Sequence, residues 1–451
     1  MKIAIIGAAG VRTPLIVQAM QRRHGAGRLD LAELALMDID AERLDLMGAL
    51  TAPLEQSVGF RITRTTDATV ALNSADYVIT TFRVGGIESR VVDERVPLTH
   101  GILGQETTGP GGFAMAMRTI PVLLDYVALM RKLCPNAWLI NFANPAGLLT
   151  EAIVRVAKWE RAAGICDSPR NLLMAATALG LPSAEVHLDY FGLNHLGWAR
   201  SIVHDHRDVL PQFIELMRRS NQPWPGLPFD PELISVLGLL PNEYLYYYYH
   251  ADRAVQNILK AGHSRGEQVA ALNTQLFADL RRLKAHGDLE GMLAAYRAYL
   301  GERGGSYMVA ETGRGHHPTS EPAGDDEGYA GVALDLIEAL SGAQPRTMLL
   351  NVLNRGAMSA MAHDDVVEIP AYISQASIRP LAVGDVPDHC LGLIKQVKAF
   401  ERLTIAAAVE GSYSQAVAAL TVHPLVRDYA KAKSILDEYC KQHGATFPVL
   451  S

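Results

Sequence analysis

The sequence predicts an α/β protein built on a doubly wound parallel sheet. Three observations predict it. Four short apolar runs punctuate the first 165 residues, helix-like stretches lie between them, and a glycine-containing turn follows the first run. Strand–helix alternation of this kind buries a parallel sheet on both faces.

Ile3 to Ile6 is the first run, expected of a buried parallel strand. Leu15 to Met20 reads as the helix after it. Leu34 to Met37, ending in Asp38, is the second strand. Tyr77 to Phe82, β-branched and aromatic, is another, and Trp138 to Phe142 a fourth, with a helix over Met115 to Leu133. From about residue 200 the character changes. Pro211 to Pro231 reads as a helix followed by a loop, and Gln268 to Tyr299 as helical. Gly313 to Gly328, rich in Gly, His, Pro and acids, reads as a surface loop. Phe400 to Leu420 and Val426 to Tyr439 look like closing amphipathic helices. With no linker-like tract between the halves, two intimately packed lobes are expected.

The 451 residues carry 41 Lys+Arg against 48 Asp+Glu, a formal charge of −7, which excludes the basic footprint of a nucleic-acid binder. Half the chain (49%) is hydrophobic and 20% charged, values of a globular protein with a core of its own. Cys134, Cys166, Cys390 and Cys440 are sparse and form no CxxC, which fits a reducing compartment. The opening apolar run is too short for a signal peptide and has no small-residue cleavage site, and Arg118 and Asp125 interrupt the longest apolar stretch. The expectation is a cytoplasmic protein with no membrane span.

Three segments carry chemistry. Gly7-Ala8-Ala9-Gly10-Val11-Arg12-Thr13-Pro14 follows the first strand. Such a turn exposes N–H groups at a helix N-terminus, where a pyrophosphate can bind, although only the first glycine of GxGxxG is in register. An ordinary strand-to-helix turn explains it equally well. Asp38 ends the second strand, where an acid accepts from the adenosine ribose hydroxyls and favours NAD; a helix N-cap is the alternative. Second, Cys166 and His195 offer a thiolate and an imidazole to a divalent transition metal. By spacing alone a buried structural Cys and a satisfied His are the better reading. Third, Tyr244 opens a stretch with five tyrosines in six positions, which also suits a packed aromatic helix face. A phenol acts as a base only when a cation lowers its pKa of about 10.

Further segments stand in order along the chain. They are Phe82-Arg83-Val84-Gly85-Gly86-Ile87-Glu88-Ser89-Arg90, Gly104-Gln105-Glu106-Thr107-Thr108-Gly109, Asn141-Phe142-Ala143-Asn144-Pro145, Phe191-Gly192-Leu193-Asn194-His195-Leu196-Gly197-Trp198, His263-Ser264-Arg265, Arg303-Gly304-Gly305-Ser306, Asn351-Val352-Leu353-Asn354-Arg355-Gly356, Asp364-Asp365-Val366-Val367-Glu368 and Thr421-Val422-His423-Pro424. Together with the three segments above, they resemble the NAD- and metal-dependent glycosidases of glycoside hydrolase family 4, most of all its 6-phospho-β-glucosidases. The resemblance spans almost the whole chain.

It implies a Rossmann-type, lactate/malate-dehydrogenase-like half over residues 1–165 that binds NAD. An α+β half over 166–451 would carry metal and substrate. It implies hydrolysis of 6-phospho-β-glucosides by oxidation, elimination, addition and reduction, where ordinary glycosidases use two carboxylates. It places Cys166 and His195 as ligands of Mn²⁺, Tyr244 as base, Asp167 as proton donor and Glu106 as the acid that raises the tyrosine's basicity. Gly7, Gly10, Arg12, Asp38 and Asn144 would bind the cofactor. Arg90, Asn144, Asn194 and Arg265 would bind substrate, with Arg265 on the sugar phosphate. It implies a homodimer or homotetramer. Asp167 stands where many β-acting relatives have Asn, and Arg12 lies in a loop that is Gly-Gly-Ser-x-Tyr-like in much of the family. Those departures leave 6-phospho-α-glucosides, uronides or galactosides as alternative substrates, and a hydroxy-acid dehydrogenase as a more distant one.

Overall fold

The computed structural model describes residues 1–55, 59–220, 226–314, 327–342 and 344–451. Six parallel strands form one side of the main sheet: β1 (Lys2–Ile6), β2 (Glu33–Met37), β3 (Arg61–Thr65), β4 (Tyr77–Thr80), β5 (Trp138–Asn141) and β6 (Ala162–Gly164). Their spatial order, 6-5-4-1-2-3, is that of a doubly wound dinucleotide-binding sheet. β1 and β4 pair in register from Ile3 opposite Tyr77 to Ile6 opposite Thr80. The order therefore reverses between β1 and β4, where such sheets open a ligand crevice beyond their strand ends.

Burial explains the elements. Ile3, Ala4, Ile5, Leu34, Val78, Ile79, Leu139 and Ile140 are each at most 1% exposed, because helices cover both faces. Helix Pro110–Leu133 passes through the core: Phe113, Met117, Ile120, Leu123 and Val127 are fully buried along it. By length and composition that helix could cross a membrane. Here its Arg118 makes a two-pronged ion pair with buried Asp93, at 2.7 and 2.6 Å.

The C-terminal half supplies a small antiparallel sheet of β7 (His187–Leu193), β8 (Leu196–His204), β9 (Arg207–Asp208) and β10 (Leu240–Pro241). It also extends the main sheet with three antiparallel strands, β11 (Arg346–Leu353), β12 (Val366–Ser374) and β13 (Ser377–Pro380), joined through Asn351 opposite Gly164. The two halves thus share one nine-stranded sheet.

Two expected helices are each two. Gln268 to Tyr299 divides into Arg265–Ala285 and Leu289–Gly305, because Gly287 takes a left-handed φ of +69° and Asp288 caps the second helix by accepting from Gly291 N–H at 2.8 Å. Phe400 to Leu420 divides at left-handed Gly411 into Asp388–Glu410 and Tyr413–Val422. A helix does cover Leu210–Ser220, while residues 221–225 of the loop expected after it lie outside the described residues. So do residues 315–326 of the surface loop expected over Gly313 to Gly328.

Candidate active site

At the end of β1 the chain turns at Gly7 with φ +103°. A Cβ there would sit 2.5 Å from Phe82 N, so only glycine fits. Gly7 and Ala8 donate their N–H groups to Met37 O, each at 2.9 Å. Asp38 completes the turn, with Oδ2 accepting from Ala9 N–H at 2.9 Å and Oδ1 from Asp40 N–H at 3.0 Å. Helix Thr13–Gly25 starts next, with Pro14 in its first turn. These residues fit a dinucleotide. The amides of Gly7, Ala8, Ala9, Gly10, Thr13 and Leu15 are taken within the turn, which sets Val11 and Arg12 on the cavity wall described next, and each Asp38 oxygen keeps a second lone pair for a ribose hydroxyl.

Beyond the strand ends lies a cavity of about 1080 Å³. Nine of the residues selected from the sequence line it: Arg12, Arg90, Glu106, Asn144, Cys166, Asp167, His195, Tyr244 and Arg265. Gly7, Gly10 and Asp38 are not in its lining. Asn194 borders a smaller neighbouring cavity, and its carboxamide is committed to Glu368 (3.2 Å) and to the N–H of Gly147 (3.4 Å).

His195, held at a left-handed φ of +60°, is clamped twice. Its Nδ1 lies 2.9 Å from Thr107 Oγ1, and its ring stacks on that of Tyr244, with centroids 3.6 Å apart and planes at 2°. Burial lowers its pKa to about 3, so the imidazole is neutral at physiological pH. Cys166 Sγ accepts from Ser168 N–H at 3.4 Å; burial, then Glu368 and Asp167, push the thiol well above its usual range. A cation beside it would reverse that direction. Among the described residues no three or more His, Cys, Asp or Glu gather into a cation cage. A Cys thiol and a neutral imidazole on the wall of one cavity are donors that would fit a divalent cation.

Glu106 bridges Arg83 Nη2 at 2.6 Å and Arg90 Nη1 at 2.8 Å. Burial opposes its ionisation, but Arg90, Arg83 and Arg303 outweigh burial and hold the carboxyl at about 2. Tyr244 has the opposite fate: burial first, then the charges of Glu106 and Cys166, push its phenol far above the ordinary value. Glu106 thus makes the phenolate more basic, and only a nearby positive charge makes it accessible.

The Arg265 guanidinium spends its Nη1 hydrogens on Gln268 Oε1 (2.7 Å) and on Ser306 Oγ and O (2.7 and 3.2 Å). One Nη2 hydrogen goes to Arg303 O at 2.5 Å. Of the five N–H donors of a guanidinium, the Nε–H and the second Nη2–H have no acceptor among the described residues. They are the parallel pair that matches two oxygens of one oxyanion.

Comparison with known proteins follows from this geometry. The profile described as "Family 4 glycosyl hydrolase" matches residues 2–179, and that of the "Family 4 glycosyl hydrolase C-terminal domain" matches residues 190–426. The chain belongs to glycosyl hydrolase family 4. Among family 4 proteins, a probable 6-phospho-beta-glucosidase of Bacillus subtilis (strain 168) is 33% identical over 461 residues, covering 99% of this chain and 97% of the relative. The structure of the 6-phospho-beta glucosidase from Thermotoga maritima with NAD and glucose-6-phosphate superposes with a TM-score of 0.83 at 27% identity, over 100% of both chains. A 6-phospho-alpha-glucosidase from gut microorganisms, in complex with NAD and Mn²⁺, superposes with a TM-score of 0.85 at 26% identity, over 100% of this chain and 99% of that one. Outside family 4, a lactate dehydrogenase from Eimeria maxima shares the fold alone, with a TM-score of 0.52 at 15% identity over 91% and 95% of the two chains.

Three further acids that sequence reasoning did not select line this family 4 cavity: Glu243, Glu311 and Glu327. Glu243, next to Tyr244, accepts from Ser168 Oγ (2.9 Å) and Asn171 Nδ2 (3.0 Å), and burial raises it to about 7. Its adjacency to Tyr244 was the only available signal. Burial also raises Glu311, whose Oε2 has no hydrogen-bond partner among the described residues. Nothing in its local sequence marks it. Behind the cavity, Glu368 receives Tyr190 OH (2.9 Å), Asn351 Nδ2 (3.0 Å) and the Asn194 amide, and burial raises it to about 7.

Proposed function

We propose that this family 4 chain hydrolyses 6-phospho-β-glucosides with NAD⁺ and a divalent cation, Mn²⁺ by preference. Residues 1–165 would hold the dinucleotide and residues 166–451 the cation and sugar. The observation that carries the reading is the open donor edge of buried Arg265, on the same cavity as Cys166, His195 and Tyr244. The named activities of the relatives support it.

When bound, NAD⁺ supplies reversible hydride acceptance and the cation Lewis acidity. The chain's own residues do the rest. Arg265 grips the phosphate on C6 and sets the register of the ring. Tyr244, held against His195, takes the proton from C2 of the sugar. Glu106, ionised and anchored by two arginines, keeps that phenolate basic. Asp167, heading the short helix Ser168–Asn171, delivers a proton to the leaving oxygen on C1. Arg90 and Asn144 line the cavity for the ring hydroxyls, and Gly7, Gly10, Arg12 and Asp38 serve the dinucleotide. Asn194 acts by holding Glu368 behind the cavity. A phosphorylated sugar does not cross a membrane unaided, which supports a cytoplasmic enzyme; the family's homodimer or homotetramer is the assembly we expect.

Paired p-nitrophenyl 6-phospho-β- and 6-phospho-α-glucosides, with their unphosphorylated forms, test the reading. Each is assayed with Mn²⁺, NAD⁺ and reductant, and with each omitted. Turnover of the phosphorylated β-substrate alone, dependent on the additives, is expected. Asp167 favours a second reading, 6-phospho-α-glucosides, which the same panel separates.

A further inference from the structure

We propose that Gln105 and Thr107 are positioning residues whose relayed hydrogen bonds lock His195 in its Nδ1–H form, so that Nε2 always offers its lone pair to the cation. The inference rests on His195 being a cation ligand, as read above.

The relay starts from an oxygen whose identity is forced. Gln105 Oε1 receives the backbone N–H groups of Thr107 and Thr108, each at 2.7 Å. The carboxamide NH₂ could not face two N–H donors, so the carbonyl end must point there. Thr107 Oγ1 lies 3.1 Å from that same oxygen. The Thr107 hydroxyl donates to it, a third hydrogen shared across the two lone pairs of that oxygen. A hydroxyl has one hydrogen. Towards His195 Nδ1, 2.9 Å away, Oγ1 therefore presents only lone pairs, and Nδ1 must be the donor. A neutral imidazole protonated at Nδ1 carries its lone pair on Nε2.

The remaining freedom is rotation of the ring, and the stacked Tyr244 removes it. The relay is local in sequence and long-range in effect. Glu106, between Gln105 and Thr107, reaches Arg83 and Arg90, while Thr107 reaches a residue 88 positions further on. One turn of chain thus sets both the charge near the base and the tautomer of the ligand. Without the Thr107 hydroxyl, both tautomers compete and the wrong one aims an N–H at the cation. Loss of such an outer partner lowers metal affinity by about 10- to 100-fold.

The test uses the full chain, stripped with a chelator and reloaded with NAD⁺, titrated with Mn²⁺ while free Mn²⁺ is read by electron paramagnetic resonance. Thr107→Val should weaken binding by about 10- to 100-fold, and Thr107→Ser, which restores the hydroxyl, should recover it. Nitrogen-15 spectra of histidine-labelled, metal-free wild type should show His195 as Nδ1–H, with mixed tautomers in Thr107→Val. Wild-type affinity in Thr107→Val, or an Nε2–H form in the wild type, would overturn the proposal. The wild-type spectrum decides even where Thr107→Val fails to fold. Should His195→Asn bind Mn²⁺ as tightly as wild type, the ligand reading falls and the relay with it. Loss of Mn²⁺ in His195→Asn but not in Thr107→Val would sink the relay alone.

Discussion

Replacing Arg265 by Met removes two parallel donors from the cavity wall. Among the described residues the Nε–H and one Nη2–H of Arg265 have no acceptor, after Gln268, Ser306 and Arg303 have taken the others. Hydrogen bonds to charged groups contribute about 1.5–3 kcal/mol each, so two contribute about 3–6 kcal/mol. At about 1.4 kcal/mol per decade, kcat/KM for a 6-phosphoglucoside should fall by about 10²- to 10⁴-fold. The interaction persists from ground state to transition state, so the loss belongs mainly in KM. Arg265→Lys keeps the charge without the fork and should recover only part of it. The assay compares phosphorylated and unphosphorylated aryl glucosides, with thermal melting to confirm that the freed Ser306 and Arg303 carbonyls have not unfolded the site. An equal fall on both substrates, or a fall of less than about threefold on the phosphorylated one, would refute the reasoning.

Three other substitutions follow from the same geometry. Tyr244→Phe keeps the ring that stacks on His195 and removes the proton acceptor, so kcat should drop by about 10²- to 10⁴-fold while KM in steady-state assays changes little. Glu106→Gln should lower stability: the carboxyl sits at about 2 in the folded chain against 4.5 as the ordinary value, a gap corresponding to about 3 kcal/mol. Because the folded pKa is depressed, that contribution is fully present above about pH 4.5 and disappears as pH falls through 2. Denaturant unfolding of wild type and variant at pH 7 and pH 3 should show the difference shrinking in acid. Gly7→Ala must accommodate a Cβ 2.5 Å from Phe82 N at φ +103°, and should cost about 2–4 kcal/mol in the same experiment.

The sheet's interior strands were legible because a strand covered on both faces is written as an unbroken apolar run: Ile3 to Ile6, Leu34 to Met37, Tyr77 to Thr80, Trp138 to Ile140. β3, Arg-Ile-Thr-Arg-Thr, was not, since it is an edge strand with Arg61 and Arg64 exposed. β6 is three small residues, too short for any period. Nothing local in β11–β13 says that they join a sheet formed 180 residues earlier, because pairing partners are a property of the whole fold. The site divides similarly. Cys166 and His195 were ambiguous by spacing, and only folding brings both to one cavity wall. Thr107 carried no sign of its role, which exists solely through its 2.9 Å approach to His195. The Gly7 turn was readable from chemistry alone, and the close approach of Phe82 supplies its physical reason.

Hydrolysis of the phosphorylated β-glucoside in D₂O tests the central claim most directly, because a base at C2 has no place in a two-carboxylate glycosidase. The account predicts that glucose 6-phosphate released by the wild type carries deuterium at C2, and that Tyr244→Phe loses this exchange together with turnover. Full turnover with protium retained at C2 would contradict it.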